Sequence, residues 1–294
     1  MHFAVIGDIH GFWDERDTAF FDRSDYDAVL FVGDLPRVTG GRAIAWELSR
    51  LRKPAWLIPG NHDGVTAPQF LAELKDWRAL CRLTATGMSR RVRRMASDLG
   101  DVRLTGFEFH RLSDGLGLIA ARPHAMGPDK FYHRHYLEER FGVRGFRDSA
   151  DLLCRLVDKA PRDLIFLAHN GPSGLGDDPA DPWGCDFSER FGDFGDPDLR
   201  TAIEYARGRG HRIRAVLAGH MHHHRKHGGE RRTAARKDGI LYVNAARVPR
   251  IRRRGEQHHH VALTVDGRGA HAETVLVDAA GDVVERRPLP EENT

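Results

Sequence analysis

The stretch Phe3-Ala4-Val5-Ile6-Gly7-Asp8-Ile9-His10-Gly11 sets the fold class. Four apolar residues stopped by a glycine read as a buried strand, and Asp8 and His10 then sit in the loop that leaves it. From Asp14 an amphipathic stretch follows, with Ala19, Phe20 and Phe21 on or near one face. The pattern then repeats. Ala28 to Gly33 is strand-like, Gly41 to Leu51 is helix-like with Ile44, Leu48 and Leu51 at helical spacing, and Ala55 to Pro59 is strand-like before Gly60. Strands alternating with helices of roughly 10 to 15 residues indicate βαβ units and parallel pairing, hence an α/β protein.

Outward from this core, Pro68 to Leu83, Lys130 to Phe141, Ser149 to Val157 and Ala202 to Arg207 read as helices. Val102 to Thr105, Gly117 to Ala121, Leu164 to Leu167 and Ile213 to Ala218 read as strands, as do Leu241 to Asn244, His260 to Val265 and Glu273 to Val277. Residues 171–197, rich in Gly, Asp and Pro, read as a long functional loop or cap inserted in the domain. There is no internal repeat and no flexible linker, so residues 1–294 are expected to form one domain.

With 294 residues and 40% apolar composition, the chain can bury a substantial core and is not a disordered one. No apolar run approaches the roughly 18 residues of a membrane span, and the first apolar run lacks the features of a signal peptide. Cys81, Cys154 and Cys185 are widely spaced without a CxxC pair, which argues against a disulfide framework or a thiolate zinc site. A reducing, cytoplasmic location is the expectation. The 45 basic residues nearly balance the 42 acidic ones for a net charge of +3, but 39 of the 45 are Arg. Arg clusters at Arg90 to Arg94 and Arg250 to Arg254 read either as phosphate-contacting patches or as solvated faces.

Five blocks directly follow apolar strand-like runs: Gly7-Asp8-Ile9-His10-Gly11, Gly33-Asp34-Leu35, Gly60-Asn61-His62-Asp63, His169-Asn170-Gly171 and Gly219-His220-Met221-His222. Ligand sites in open α/β sheets assemble at the carboxyl ends of strands, so five such loops can converge on one crevice. Two Asp, one Asn and four His make a mixed oxygen and nitrogen set. It suits Mn, Fe, Zn or a similar divalent ion and is too rich in nitrogen for a Ca site or a Mg-only site. Each block alone is a weak signal, and the joint pattern decides the reading.

In order and spacing the blocks resemble the calcineurin-like metallophosphoesterase superfamily, whose pattern is D-x-H, GD, GNH-D/E, H and GH-x-H. The resemblance runs from Asp8 to His222. It implies a four-layer α/β/β/α sandwich of two mixed sheets. It further implies two metal sites, one held by Asp8, His10, Asp34 and His222 and the other by Asp34, Asn61, His169 and His220, with Asp34 bridging. Two divalent ions, Mn first and Fe, Zn or Ni as alternatives, would neutralise phosphate oxygens and generate hydroxide for in-line attack. His62 would be catalytic, approaching the phosphate and its leaving-group oxygen. The stretches Ala168 to Gly176, Val243 to Ala246 and Val248 to Arg250 are similar to a little-characterised bacterial and plastid branch.

The sequence departs from the protein-phosphatase pattern GD-x-x-D-R-G. Here the stretch is Gly33-Asp34-Leu35-Pro36-Arg37, so Arg37 stands where the second Asp would, and GNHD replaces GNHE. A Ser/Thr protein phosphatase is therefore disfavoured, and Arg37 becomes a candidate phosphate contact. Leu35 occupies the place of the Tyr that purple acid phosphatases use. His223, His224 and His227 are expected on the pocket rim, His258 to His260 at surface or edge positions, and Trp183, Cys185 and Phe187 in either a substrate lid or a local mini-core. The leading function is hydrolysis of a small phosphomonoester or phosphodiester. A nuclease acting on DNA or RNA is the enzymatic alternative, and a metal-free scaffold binding a protein partner is the non-enzymatic one.

Overall fold

Apolar strands with side chains alternating between two faces need cover on both sides, and the computed structural model provides it with two sheets and two helical layers. It describes every residue except 189, 253, 254, 291 and 294, and only the backbone of 292 and 293. The first sheet has the order β14 (Val283–Pro288), β13 (Ala270–Asp278), β12 (Gln257–Val265), β1 (His2–Ile6), β2 (Ala28–Phe31), β3 (Ala55–Leu57), β4 (Arg103–Leu104), with β11 (Ile251–Arg252) also on β12. From β1 to β4 pairing is parallel, as the βαβ reading requires, whereas β12 to β14 add an antiparallel wing. The second sheet runs β15 (Glu292–Asn293), β9 (Ala234–Lys237), β10 (Ile240–Asn244), β8 (Arg212–Gly219), β7 (Asp163–Asn170), β6 (Leu116–Ala120), β5 (Glu108–Arg111), parallel from β6 through β8 to β10.

Period-two alternation divides the core. Phe3 and Val5 of β1, Leu30 of β2 and Val261 and Leu263 of β12 join the cluster shared with the second sheet. Ala4, Ile6, Val29 and Phe31 face the other way, onto Phe21 of α1 (Glu15–Arg23), Ala45 and Leu48 of α2 (Arg42–Leu48) and Met95 and Leu99 at α5 (Met88–Asp98). On the far side α6 (Arg134–Phe141), α7 (Phe146–Val157) and α8 (Pro197–Gly208) cover the second sheet through Leu137, Leu153, Val157, Ala202 and Ala206. The expected four-layer α/β/β/α sandwich is therefore present.

Several local readings are corrected. The helix expected over Pro68 to Leu83 is two, α3 (Ala67–Lys75) and α4 (Arg78–Ala85), because Asp76 takes a left-handed conformation between them. Helix α5 was hidden by the Arg90 to Arg94 cluster, although Met88, Val92 and Met95 form a buried stripe along it. His258, His259 and His260 are not at an edge but buried in β12, all three paired with β13 on one side and His258 also with β11 on the other. His258 Nδ1 lies 2.9 Å from Asp17 Oδ1, and the Tyr26 hydroxyl lies 2.8 Å from His260 Nε2. Arg250 is no phosphate-reading surface residue: its buried guanidinium is bidentate to Asp17 at 2.7 and 2.8 Å. Residues 253 and 254 of that cluster lie outside the described residues.

Candidate metal centre

The parallel strands β1, β2 and β3 of one sheet and β7 and β8 of the other present their carboxyl ends to a common crevice, where all five sequence blocks meet. Asp8 and His10 follow β1, Asp34 follows β2, Asn61 and His62 follow β3, His169 ends β7, and His220 and His222 follow β8. The first two loops are laced together: His10 N–H donates to the Asp34 carbonyl at 2.7 Å and Gly11 N–H to that of Leu35 at 2.8 Å. Two glycines make the close approach possible. A Cβ on Gly60 would fall 2.2 Å from Asp34 Oδ1, and one on Gly219 would fall 2.1 Å from Asp8 Oδ1. His10, Asp34 and His220 carry positive φ of 45°, 52° and 68°, an unfavourable state for residues with a Cβ that concentrates at functional sites.

Asp8, His10 and His222 bring one ligand atom each within 4.8 Å of one another, and Asp34, His169 and His220 do the same. In the first set His10 Nε2 lies 3.1 Å from His222 Nε2, which is 3.3 Å from Asp8 Oδ2. In the second, Asn61 Oδ1 lies 2.8 Å from His169 Nε2 and 3.0 Å from His220 Nδ1, and Asp34 Oδ2 is 3.5 Å from His169 Nε2. Asp34 Oδ2 also reaches toward the first set, 3.8 Å from His10 Nε2. Tautomers follow from the backbone. His10 Nδ1–H donates to the Pro36 carbonyl and His169 Nδ1–H to that of Val32, at 3.2 and 2.7 Å, so in the neutral rings both Nε2 atoms turn lone pairs inward. With these rings neutral, lone pairs of imidazole, carboxylate and amide oxygen converge in a way that suits a cation, and the donor chemistry fits borderline divalent ions.

The electrostatics agree. Burial opposes the charged forms of Asp8 and Asp34, yet both carboxyls are held below the usual range, Asp8 by its hydrogen bond to His222 and by His169, Asp34 by His169 and His62. His169 and His222 are raised despite burial, through Asp34 and Asp8 for the former and Asp8 for the latter. Burial and the neighbouring His169 push His220 down to about 3. The crevice is thus negative enough to draw protons onto imidazoles, the same demand for positive charge that a metal answers.

His62 stands at the rim. Its N–H donates to Asp34 Oδ1 at 3.0 Å, its Nδ1 pairs with the Val38 carbonyl, and its Nε2 faces Asp34 Oδ2 at 4.0 Å. Arg37 packs its stem over Gly11, and its exposed guanidinium lies 5.6 Å from the Phe12 ring centroid, without an ion pair or hydrogen bond among the described residues. Sequence reasoning passed over Asp63, whose buried carboxylate accepts N–H groups of Asp34, Leu35 and Gly60 at 2.9, 2.9 and 2.7 Å. Burial and the adjacent Asp34 raise it to about 7. Its position after the GNH block, the same variation that set GNHD apart, was the available signal.

Trp183 and Cys185 of residues 171–197 form neither a lid nor a separate mini-core, because they join the main hydrophobic cluster shared with the second sheet. Both side chains are buried, and Trp183 Nε1–H donates to the Gly219 carbonyl at 3.1 Å, just before His220. Phe187 is half-exposed. Arg231, which sequence reasoning missed, threads its buried guanidinium among the carbonyls of Pro179, Asp181 and Gly184 and donates to that of His222 at 3.2 Å. His223 is not on the rim but buried, with Nε2 3.0 Å from the Asn244 carbonyl, whereas His224 and His227 are exposed. A third group with ligand-like spacing, Asp14, Asp17 and His258, already holds cations, since Arg16 pairs with Asp14 and Arg250 with Asp17.

The sequence profile of the calcineurin-like phosphoesterases matches residues 1–224. No curated protein matches the chain by sequence. Among solved structures, TT1561 of Thermus thermophilus is 12% identical with a TM-score of 0.51, covering 98% of this chain and 99% of its own. The sulfate thiohydrolase SoxB of the same species is 12% identical with a TM-score of 0.36, over 90% of this chain and 38% of its own. Vps29 from Entamoeba histolytica, solved with zinc, is also 12% identical with a TM-score of 0.36, over 99% and 100%. At these identities the likeness to TT1561 bears on the fold alone. No described helix is long and apolar enough to cross a membrane.

Proposed function

The chain belongs to the calcineurin-like phosphoesterase family, and from that premise we propose that it is a dinuclear metal-dependent hydrolase of a phosphomonoester or phosphodiester. The observation that carries the reading is the pair of donor sets, Asp8/His10/His222 and Asp34/His169/His220, brought together by Asp34 and completed by Asn61. A scaffold that only binds a partner has no need of a complete set.

In this reading Asp8, His10, Asp34 and His222 hold one ion, and Asp34, Asn61, His169 and His220 the other. Two divalent cations, when bound, supply neutralisation of phosphate charge and an acidified water. The protein's own groups do the rest. Pro36 and Val32 fix the tautomers of His10 and His169, so that lone pairs and not protons face the cations. Asp63 locks the Asp34 and Asn61 loops into one rigid unit through its three N–H contacts. His62, anchored by donating its Nδ1–H to the Val38 carbonyl, presents Nε2 to the substrate and, in its doubly protonated imidazolium form, donates the Nε2 proton to the leaving oxygen and becomes the neutral ring. Arg37, unpaired at the mouth, takes a phosphate oxygen.

The test is to strip the protein with a chelator, titrate it with Mn and follow p-nitrophenyl mono- and diester hydrolysis. Two ions per chain with metal-dependent turnover of either ester is the expected result. Turnover that survives chelation, or a single bound ion, overturns the dinuclear reading.

A further inference from the structure

Exposed apolar side chains gather on one element beside the crevice. Leu71 and Leu74 lie one turn apart on α3 and are 46% and 47% exposed, Trp77 in the turn is 50% exposed and Leu83 on α4 is 70% exposed. The opposite faces of the two helices are packed: Ala72 and Glu73 of α3 and Cys81 and Ala85 of α4 are buried. The apolar edge continues to the metal centre, because the Phe70 ring lies 4.7 Å from that of His62, and Val38, 64% exposed, lends His62 its carbonyl.

Cations frame this edge. Lys75, Arg78 and Arg82 are exposed on the hairpin, and their side chains make no hydrogen bond or ion pair among the described residues. Arg90 stands exposed on the next helix. Within residues 66–86 the carboxylates are Glu73, which is buried, and Asp76 in the turn. A cavity of about 670 Å³ opens between this hairpin and α6, with Arg78, Arg82, Lys130 and Arg134 on its wall beside Asp76 and Glu138.

We propose that the α3–α4 hairpin docks the protein on an anionic lipid surface, with Leu71, Leu74, Trp77 and Leu83 entering the interface and Lys75, Arg78 and Arg82 meeting the headgroups. Tryptophan and leucine at a helical turn, ringed by cations, is the pattern that partitions into the boundary between headgroups and acyl chains. The charge pattern favours this occupant. A two-fold interface with a second copy would set the arginine rim against itself. A nucleic acid would pair with the arginines and leave three leucines without a partner.

The test uses the full chain loaded with metal and co-sedimented with vesicles of phosphatidylcholine alone or with 30 mol% phosphatidylglycerol. Binding is expected to the anionic vesicles only. It should weaken at least tenfold in Leu74→Glu/Trp77→Glu and in Arg78→Glu/Arg82→Glu, and stay unchanged in Trp46→Glu, an exposed tryptophan on α2. Unaltered melting and ester hydrolysis report that the variants are folded. As a measurement that does not depend on charged variants, brominated lipid should quench wild-type fluorescence more than that of Trp77→Phe. Absence of anionic vesicle binding overturns the proposal, as does equal binding by the hairpin variants or equal quenching in Trp77→Phe. So does a concentration-dependent dimer that Leu74→Glu/Trp77→Glu abolishes, or nucleic-acid retention that this variant preserves while no vesicle is bound.

Discussion

Asp34 touches more of the candidate site than any other side chain. It faces His10, His62 and His169 and accepts the His62 N–H, so the proposed roles of both metals pass through it. Asp34→Asn is expected to lower metal content for both ions and turnover at least 10³-fold, measured by elemental analysis beside ester hydrolysis; near wild-type rates sink the shared-carboxylate reading. His62 differs because its ring is tied to the Val38 carbonyl and stands outside both donor sets. His62→Ala should keep its metal while kcat falls by roughly 10²- to 10⁴-fold. A parallel loss of metal would make it a structural group. For Arg37, Ala should raise KM or lower kcat/KM with metal unchanged, more for a monoester than a diester, and Lys should restore only part because it lacks the planar fork. Identical kinetics on both esters would mark a surface residue. At this scale the sequence was legible wherever chemistry needs a particular side chain after a strand. Asp63 was not, because its contacts are all to backbone N–H groups, which any sequence supplies.

Between elements, buried ion pairs do what no short motif reveals. Arg250 precedes β11, and its guanidinium pairs with Asp17 of α1, which His258 of β12 also contacts. Burial raises Asp17, yet Arg250 and His258 outweigh it and hold the carboxyl well below the usual range. With a folded pKa below the unfolded value, Asp17 adds stability above about pH 4 that is lost as acid protonates it. Arg250→Met should cost about 3–5 kcal/mol in urea unfolding at pH 7, because it strands a buried carboxylate. Adding Asp17→Asn should recover much of that, and a cost under about 1 kcal/mol for Arg250→Met would show the pair to be idle. From the sequence Arg250 looked like part of a basic run and His258 like an edge residue, since their partner lies some 240 positions away. Helix α5 escaped for a different reason: its charge run masked the apolar stripe of Met88, Val92 and Met95. The βαβ half was readable because its strands are continuous apolar runs with local connections.

Across the whole molecule, several imidazoles outside the two donor sets are buried, His124 and His133 beside the crevice and His259 and His260 in β12. Burial is the leading cause in each: His124 is pushed down to about 4, His260 to about 3, and His133 and His259 well below their ordinary value. In the unfolded chain these rings titrate near pH 6.5, so below that the unfolded state binds more protons and stability falls with pH. The slope can reach roughly 1.4 kcal/mol per pH unit for each histidine, about 5.6 kcal/mol per pH unit for four. Asp63 and Asp196, raised to about 7, and His169 and His222, also raised, take up protons in the fold over the same range and oppose this fall. The histidine contribution is therefore read as a difference: His260→Gln should flatten the urea midpoint profile of the chelated protein between pH 7 and pH 5 relative to wild type. An unchanged slope would mean that this ring finds a proton or a partner in the fold. Topology has a consequence for synthesis as well. Strand β1 is flanked by β2, close in sequence, and by β12, which pairs His2 with Thr264. Every proposed ligand, up to His222, leaves the ribosome before β12 does. At 5–20 residues per second the nascent chain then carries one open edge on β1 for roughly 2 to 9 s. An apolar edge left unpaired is a template for association with other chains. Premature termination before β12 should thus yield insoluble product even though the whole ligand set has been made, and slow supply of the last strands, not of metal, would limit the yield of soluble protein.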